Sequence, residues 1–239
     1  MYQGVDIADL SGLLGRPVYS GAHHGAGVYD FLMFTERVPR NSEVIMSISK
    51  FAQIREKRYD YNRSGLSFWA LRELYNNNYS ASEITTLVAN NLRPRNHVVS
   101  DIVLYEDSDS MEIAKGSIER IKSYYKDAPT YLTDKQRLYI VGIKNLVSKN
   151  CKISFVEFPC HPMVDDIENQ SPIIEKTEHF KHDVISLFKE VQVDTLVLSK
   201  EKNIYQDLSH LNSRGAKDLS EKLGERMKKS ERTTLYIVR

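Results

Sequence analysis

Cysteine is scarce in this chain of 239 residues, which contains only Cys151 and Cys160. Two cysteines cannot build the disulfide framework of a small secreted domain, and their separation does not match the CxxC spacing of a redox or zinc pair. We therefore expect two reduced thiols in a reducing compartment, with no zinc site built on them.

Long apolar runs are also missing, because no stretch approaches the roughly 18 apolar residues that a membrane-spanning helix requires. The opening residues, MYQGVDIADLSG, carry acidic side chains early and lack the basic and apolar regions of a secretory leader. These absences predict a cytoplasmic protein without membrane insertion.

Neither sign of charge dominates, since 33 lysines and arginines stand against 32 aspartates and glutamates, for a net charge of +1. Such a balance gives no general attraction toward nucleic acid or an anionic membrane. The hydrophobic content of 41% with 27% charged residues is typical of globular proteins, and no repeat or low-complexity tract interrupts it. We expect a single domain over residues 1–239.

Short apolar runs alternate with amphipathic segments along the chain. The predicted strands are 17–19, 44–49, 153–158, 195–198 and 234–238. Segments between them place apolar residues at helical spacing, as in Val28, Phe31, Leu32 and Thr35. Strands separated by helices need crossover connections, which predicts an α/β fold with a mostly parallel sheet flanked by helices.

The region 59–131 is less regular, and we interpret it as a helical insertion or lid within the domain. Phe68, Leu71 and Tyr75 recur at helical spacing, and a capping box of the Ser-x-x-Glu type opens a second helix at Ser80. The remaining predictions in this region are a helix at 111–125 and a strand at 102–105.

A polar segment follows the strand at 195–198 and runs into the last predicted helix, with the sequence YQDLSHLNSRGA from Tyr205. Asp207 and His210 are spaced so that both side chains can come from one tight turn. An aspartate there can accept from the ring Nδ1–H of the histidine, which leaves Nε2 as a general base. Asn212 or Ser213 then caps the helix. Because ligands of open parallel sheets bind outside the carboxyl ends of the strands, this segment is the candidate site.

The DxxHLNxxGA pattern of this segment resembles the last sequence block of the SGNH hydrolase (GDSL-like) superfamily, whose DxxH supplies the acid and base of a Ser-His-Asp triad. Residues 4–6 (GVD) and 13–25 (LLGRPVYSGAHHG) resemble the stretch that follows the nucleophile in that superfamily. Residues 153–162 (ISFVEFPCHP) resemble its late strand and proline turn. The resemblance is nearest to branches associated with cell-envelope and exopolysaccharide acylation, and it is absent from the middle of the chain.

The resemblance implies a flavodoxin-like, doubly wound fold and no metal or organic cofactor. It also implies roles for three residues. His210 would act as general base and then as general acid, Asp207 would fix its tautomer, and the Gly25 N–H would contribute to the oxyanion hole. Further candidates for substrate contacts at the same edge are Ser20, His24, Lys50, His161 and Asn212.

Two departures from the family pattern bear on the mechanism. The family's nucleophile lies in a Gly-Asp-Ser turn a few residues before the position of Gly4, so we expect the serine and its strand just upstream of Met1. The family's Gly-x-Asn-Asp turn should follow the strand at 44–49, where this sequence has no asparagine. The second oxyanion donor is therefore missing, or it comes from Lys50, Ser49 or another residue that the pattern does not identify.

The other histidines have simpler interpretations beside the functional ones. His23 and His24 are conceivable metal ligands, but no carboxylate or cysteine stands at ligand spacing, so a loop role is favoured. His161 follows a strand end, where a turn role competes with a substrate contact. His179 and His182 are spaced to pair on a metal, but the surrounding lysines favour a solvent-exposed helix face.

The resemblance therefore predicts hydrolysis of an ester, or transfer of an acyl group such as acetyl, on a carbohydrate or polysaccharide precursor. The alternative is a non-catalytic SGNH-like protein that binds a glycan or a partner in an envelope-polysaccharide pathway, and the missing serine supports it. Neither function needs nucleic acid, and self-association into a homo-oligomer stays open.

The apolar segment 234–238 follows the last helix, where folds of this type often end. In the family fold the strand before the nucleophile is central, and without it the two neighbouring strands would leave backbone groups bare in the core. Each such group costs about 1–3 kcal/mol, and the sum would exceed the ~5–15 kcal/mol stability of a domain. We therefore predict that 234–238 inserts as a parallel central strand, with addition at a sheet edge as the alternative.

Overall fold

The computed structural model describes residues 5–20, 28–47, 65–92, 118–119, 122–123, 134–157, 161–170, 175, 182, 186, 192–195, 204–205, 208, 211–228 and 234–238. The strands among them form one sheet of five, and every neighbouring pair is parallel. Helices cover both faces of this sheet. The predicted α/β class with a parallel, helix-flanked sheet is confirmed.

Five strands build the sheet in the spatial order β1-β5-β2-β3-β4. Their bounds are β1 (Val18–Ser20), β2 (Glu43–Ser47), β3 (Lys152–Glu157), β4 (Gln192–Thr195) and β5 (Leu235–Val238). The fourth strand begins at Gln192, earlier than the predicted segment 195–198, whose last three residues lie outside the described residues. The predicted strand at 102–105 also lies outside them.

Seven helices are described with their bounds: α1 (Ile7–Leu14), α2 (Val28–Arg37), α3 (Phe68–Asn76), α4 (Ala81–Leu92), α5 (Asp134–Ser148), α6 (Pro162–Glu168) and α7 (Ser213–Met227). Helices α3 and α4 fall within the region 59–131 that the sequence marked as helical. No helix in the described part of the chain has both the length and the apolar character to cross a membrane.

Strand β5 lies inside the sheet and is paired on both sides. Leu235 stands beside Val18 of β1, and Tyr236 stands beside Val44 of β2. The side chain of Ile237 is 1% exposed and that of Leu235 is fully buried. The predicted central insertion is confirmed, and the edge alternative is wrong, because only this strand satisfies the facing backbone groups of β1 and β2.

Side chains alternate across the sheet and separate the interior into two layers. One layer packs against α1 and α7 and contains Val18, Ile45, Val156, Leu235 and Ile237 from the strands. The opposite layer packs against α2 and α5 and contains Val44, Met46, Ile153 and Phe155. Strands β2 and β3 are therefore buried on both faces, which is why they read as continuous apolar runs in the sequence.

Helices α3 and α4 form an outer layer over α2. Ala70 and Leu74 of α3 are fully buried against this layer. Of the three side chains that mark the predicted helix, Phe68 and Tyr75 are 89% and 68% exposed, whereas Leu71 packs against this layer. The predicted helix is confirmed, and residues 70 and 74, which lie on the side opposite 68 and 75, are its buried ones.

The capping box predicted at the start of α4 is present. The Glu83 N–H donates to Ser80 Oγ at 3.3 Å, and the Ser80 N–H donates to Glu83 Oε2 at 2.9 Å. Before it, Asn78 has a φ of 68°, in the left-handed region that asparagine tolerates. Asn77 and Asn78 therefore begin the turn between α3 and α4.

Helix α1 was missed by the sequence analysis, although both of its ends carry ordinary signals. The Asp6 carboxylate accepts from the N–H groups of Ala8 and Asp9, and Gly15 ends the helix with a φ of 62°. An aspartate cap followed nine residues later by a left-handed glycine is the pattern of a two-turn helix. Its Leu10 packs into the layer formed with α7.

An ion pair lies at the amino edge of the sheet, opposite to the strand ends considered below. Glu43 opens β2, and its side chain has no exposed surface. The Arg16 guanidinium lies 2.7 Å from Glu43 Oε2, and Lys152 Nζ lies 3.4 Å from Oε1. Arg16 also donates to the Met227 carbonyl oxygen at 3.4 Å, which links the end of α7 to the same pair.

Tyr236 of β5 should make the stability of the protein depend on pH in the alkaline range. Its ring stacks on Tyr19 with centroids 5.3 Å apart, and burial, followed by the neighbouring Tyr19, raises its pKa above the ordinary 10.0. Below pH 10, Tyr236 is protonated in both the folded and the unfolded state. Above it, the unfolded state loses its proton first, so the free energy of unfolding falls as the pH rises. We expect Tyr236→Phe to flatten the loss of stability between about pH 8 and about pH 11 in urea titrations. Tyr75→Phe, at an exposed tyrosine of α3, is the control and should leave the loss unchanged.

Candidate functional site

The carboxyl ends of the five strands meet at one edge of the sheet, because all neighbouring strands are parallel. The last residues of the strands at this edge are Ser20, Ser47, Glu157, Thr195 and Val238. Ligands of open parallel sheets bind outside this edge. The segments that follow these strands are therefore the place to look for a site.

The predicted site residues divide into two groups. Ser20, His161 and Asn212 belong to the described part of the chain. Asp207, His210, Gly25, His24 and Lys50 lie outside the described residues. For Asp207 and His210, the structure describes neighbouring residues of the same segment, namely Tyr205, Leu208 and Leu211.

Ser20 ends the edge strand β1 and stands beside Ile237 of the central strand β5. Its side chain is exposed. This predicted contact residue therefore lies at the carboxyl edge, next to the end of β5. A contact between Ser20 and a substrate stays a prediction.

Residues 204–212, here called the helix-entry loop, lead into α7 and are closed at their base. Tyr205 and Leu211 form an isolated antiparallel bridge, and the Asn212 N–H donates to the Ile204 carbonyl oxygen at 3.0 Å. The side chains of Ile204, Tyr205 and Leu211 are buried in the layer shared with α1 and α7. Asp207 and His210 fall between these anchors in the sequence.

The first turn of α7 packs closely against the base of the helix-entry loop. The Asn212 side chain caps the helix by accepting from the Gly215 N–H at 3.0 Å, as predicted, and it is 2% exposed. A Cβ added to Gly215 would lie 2.2 Å from the Ile204 carbonyl oxygen, so only glycine permits this approach. A contact between Asn212 and substrate stays a prediction.

His161 joins the helix-entry loop to the segment after β3. It precedes Pro162 with the extended backbone that such a residue adopts (ψ 140°), and its Nδ1 accepts from the Met163 N–H at 3.2 Å as the cap of α6. Its own N–H donates to the Leu208 carbonyl oxygen at 3.4 Å. Its ring meets Tyr205 edge to face, with centroids 5.3 Å apart. The predicted turn role of His161 is confirmed, and a substrate contact stays a prediction.

The start of α1 is fixed by a contact with α7. The Asp6 N–H donates to Ser220 Oγ at 2.8 Å, and this hydroxyl in turn donates to the Ala216 carbonyl oxygen at 2.8 Å. Val5 is buried in the same layer as Ile45 and Ile237. The segment that resembles the stretch after a family nucleophile is therefore attached to the helix that follows the DxxH segment.

Sequence reasoning missed Tyr205, Leu208 and Ser220 as parts of this arrangement. The first two carry a usable signal, since apolar residues at 204, 205, 208 and 211 surround the polar ones of the helix-entry loop. Such a pattern indicates a loop packed by its own side chains. Ser220 carries no such signal, because its partner Asp6 is distant in the sequence.

Metal chemistry has no assembled site in the ranges described above, since no three histidine, cysteine, aspartate or glutamate side chains there come together. Comparisons of the chain with protein-family models, with curated proteins and with solved structures find no match.

Proposed function

We propose that this chain is an SGNH-type ester hydrolase or O-acyltransferase that acts on a carbohydrate or polysaccharide precursor. His210 takes the proton of a serine nucleophile and then gives it to the leaving group, while Asp207 holds the imidazole tautomer and balances the imidazolium charge. The Gly25 N–H stabilises the oxyanion, a contribution of ~3 kcal/mol for one donor.

The observation that carries the proposal is the attachment of the helix-entry loop to the carboxyl edge. Its Leu208 carbonyl accepts from His161, and His161 follows the end of β3 after three residues. The loop that contains Asp207 and His210 in sequence is therefore bound to the edge at which parallel sheets hold their ligands. This supports an acid–base pair facing a substrate there.

The strand order supports the finer fold assignment. When β5 is counted first, as the strand that precedes the family nucleophile, the order β1-β5-β2-β3-β4 becomes 2-1-3-4-5. That is the flavodoxin-like order. We propose a flavodoxin-like sheet in which the chain is circularly permuted.

The position of the nucleophile follows from this permuted order. The turn that would carry the family serine corresponds to the end of β5 and the start of α1. Residues 1–10 contain no serine, and the serines nearest to other strand ends are Ser20, Ser47 and Ser49. The identity of the nucleophile is therefore the central experimental question.

Hydrolysis of p-nitrophenyl acetate tests the proposal. We expect little or no turnover from residues 1–239, because His210 has no serine at the family position. Placing Gly-Asp-Ser ahead of Gly4 should raise kcat/KM by about 10²- to 10⁴-fold, and His210→Ala should remove the gain. A Gly-Asp-Ala extension of equal length is the matched control.

Two results would contradict this mechanism. A folded extended protein without any gain in rate would refute the triad. A robust rate from residues 1–239 alone would refute the position of the nucleophile, and single alanine substitutions of Ser20, Ser47 and Ser49 would then identify it.

Binding without turnover is the second candidate function. In that case an acetylated oligosaccharide should bind saturably in calorimetry and be recovered unchanged. Asp207→Asn should then alter binding without any associated change in hydrolysis.

A further inference from the structure

We infer that the His161 ring is a positioning element for the helix-entry loop, an inference that depends on the proposed function only for its catalytic consequence. The ring lies at the junction between the segment after β3 and the loop that carries Asp207 and His210 in sequence. His161 is 1% exposed, so its ring acts from inside the protein.

Helix capping alone does not account for a histidine at this position. Asparagine, aspartate, serine and threonine are the preferred cap residues, and each is smaller than an imidazole. The Nδ1 atom serves the cap by accepting from the Met163 N–H. What the ring adds is reach, since it meets the Tyr205 ring edge to face with the two centroids 5.3 Å apart.

A contact at Tyr205 affects both ends of the helix-entry loop. It forms the bridge with Leu211 that closes the loop, and it neighbours Ile204, which accepts from the Asn212 N–H. A contact that fixes Tyr205 therefore fixes both ends of the segment from 205 to 211. The His161 N–H adds a bond to Leu208 in the middle of the same segment.

Accurate placement of this loop matters for acid–base catalysis. Displacement of a catalytic group by about 1 Å can reduce the rate about 10²-fold, even when the change lies far from the reacting atoms. His161 thus supports the Asp207–His210 pair through Tyr205 and takes no part in the chemistry itself.

Two substitutions separate the cap from the ring. His161→Asn keeps an acceptor for the Met163 N–H but removes the ring, whereas His161→Phe keeps a ring against Tyr205 but removes the acceptor. Amide hydrogen exchange in the full chain reports on both. We expect His161→Asn to speed exchange at Asn212 and Gly215 by about tenfold while Met163 stays protected, and His161→Phe to give the opposite pattern.

Val164→Ala is the matched control, because Val164 is a fully buried residue of α6 with no contact to the loop among those described above. It should lower stability without a selective change at Asn212 and Gly215. Tyr205→Leu removes the same ring contact from the other side, so it should reproduce the effect of His161→Asn even if His161→Phe fails to fold.

The inference is overturned if His161→Asn leaves exchange in the loop unchanged, or if Val164→Ala speeds it as much. The NMR titration of the His210 ring gives a second readout, which His161→Asn should alter and Val164→Ala should not. If neither the chain nor its Gly-Asp-Ser extension hydrolyses an ester while these shifts occur, the proposed function fails and the positioning role of His161 stands. If hydrolysis occurs and His161→Asn changes neither kcat nor the titration, the positioning role fails alone.

Discussion

A chain that stops at Ser230 should not fold. This truncation removes β5, which is paired with β1 on one side and β2 on the other. It also removes Leu235 and Ile237, two core side chains whose loss costs about 2–5 kcal/mol each. Unsatisfied backbone groups along two strands add about 1–3 kcal/mol each, so the total exceeds the stability of an ordinary domain.

Circular dichroism and urea titration measure this outcome. The truncated chain should show no cooperative transition, whereas Ile237→Val in the full chain should lose only about 0.5–1.5 kcal/mol. A cooperative transition in the truncated chain would mean that β1 and β2 close the sheet without β5.

The second large effect is expected at the amino edge of the sheet. Arg16→Met leaves the Glu43 carboxylate buried, and among the described residues the half-exposed Lys152, at 3.4 Å, remains as its partner. Removing one partner of a buried ion pair costs about 3–5 kcal/mol when the remaining charge is uncompensated, so the loss should lie near the lower end of that range. We expect a loss of this size in urea unfolding.

A double-mutant cycle separates this effect from lost packing. Combining Arg16→Met with Glu43→Leu removes both charges, so most of the stability should return. Lys222→Met is the control, because Lys222 pairs with Asp218 near the surface, where such a pair contributes about 0.3–0.5 kcal/mol. A loss below about 1 kcal/mol for Arg16→Met would show that solvent screens the Glu43 carboxylate.

The fold could be predicted where a local sequence rule, or the need to pair the backbone groups of a strand, decides the structure. Once the resemblance implied a missing central strand, the apolar run 234–238 was the spare segment that could fill it, and the Ser80 capping box indicated the start of a helix. The buried side of α3 was not predictable in this way, because Phe68 and Ala70 are both apolar and only the packing on α2 chooses between them. Helix α1 was predictable from Asp6 and Gly15 and was overlooked.

The sequence pattern suggests the candidate site, but it does not reveal the contacts that support it. Asp207 and His210 follow from the DxxH pattern, and Asn212 follows from the rule for helix caps. The contacts of His161 with Tyr205 and Leu208 join segments far apart in the chain, so no local pattern contains them. Sequence reasoning therefore proposes candidate catalytic residues more readily than the residues that hold their segment in place.

The position of β5 also has a consequence for biosynthesis. It is the last of the five strands in chain order, yet it lies between the first two, so β1 and β2 leave the ribosome long before their common neighbour is made. Contacts between such distant segments raise the contact order, which slows folding. The nascent sheet keeps two unpaired strand edges until β5 has been made, and edges of that kind promote aggregation. Folding of this protein should therefore begin only after residue 238 has been synthesised, and its yield should depend on chaperones that protect the waiting strands.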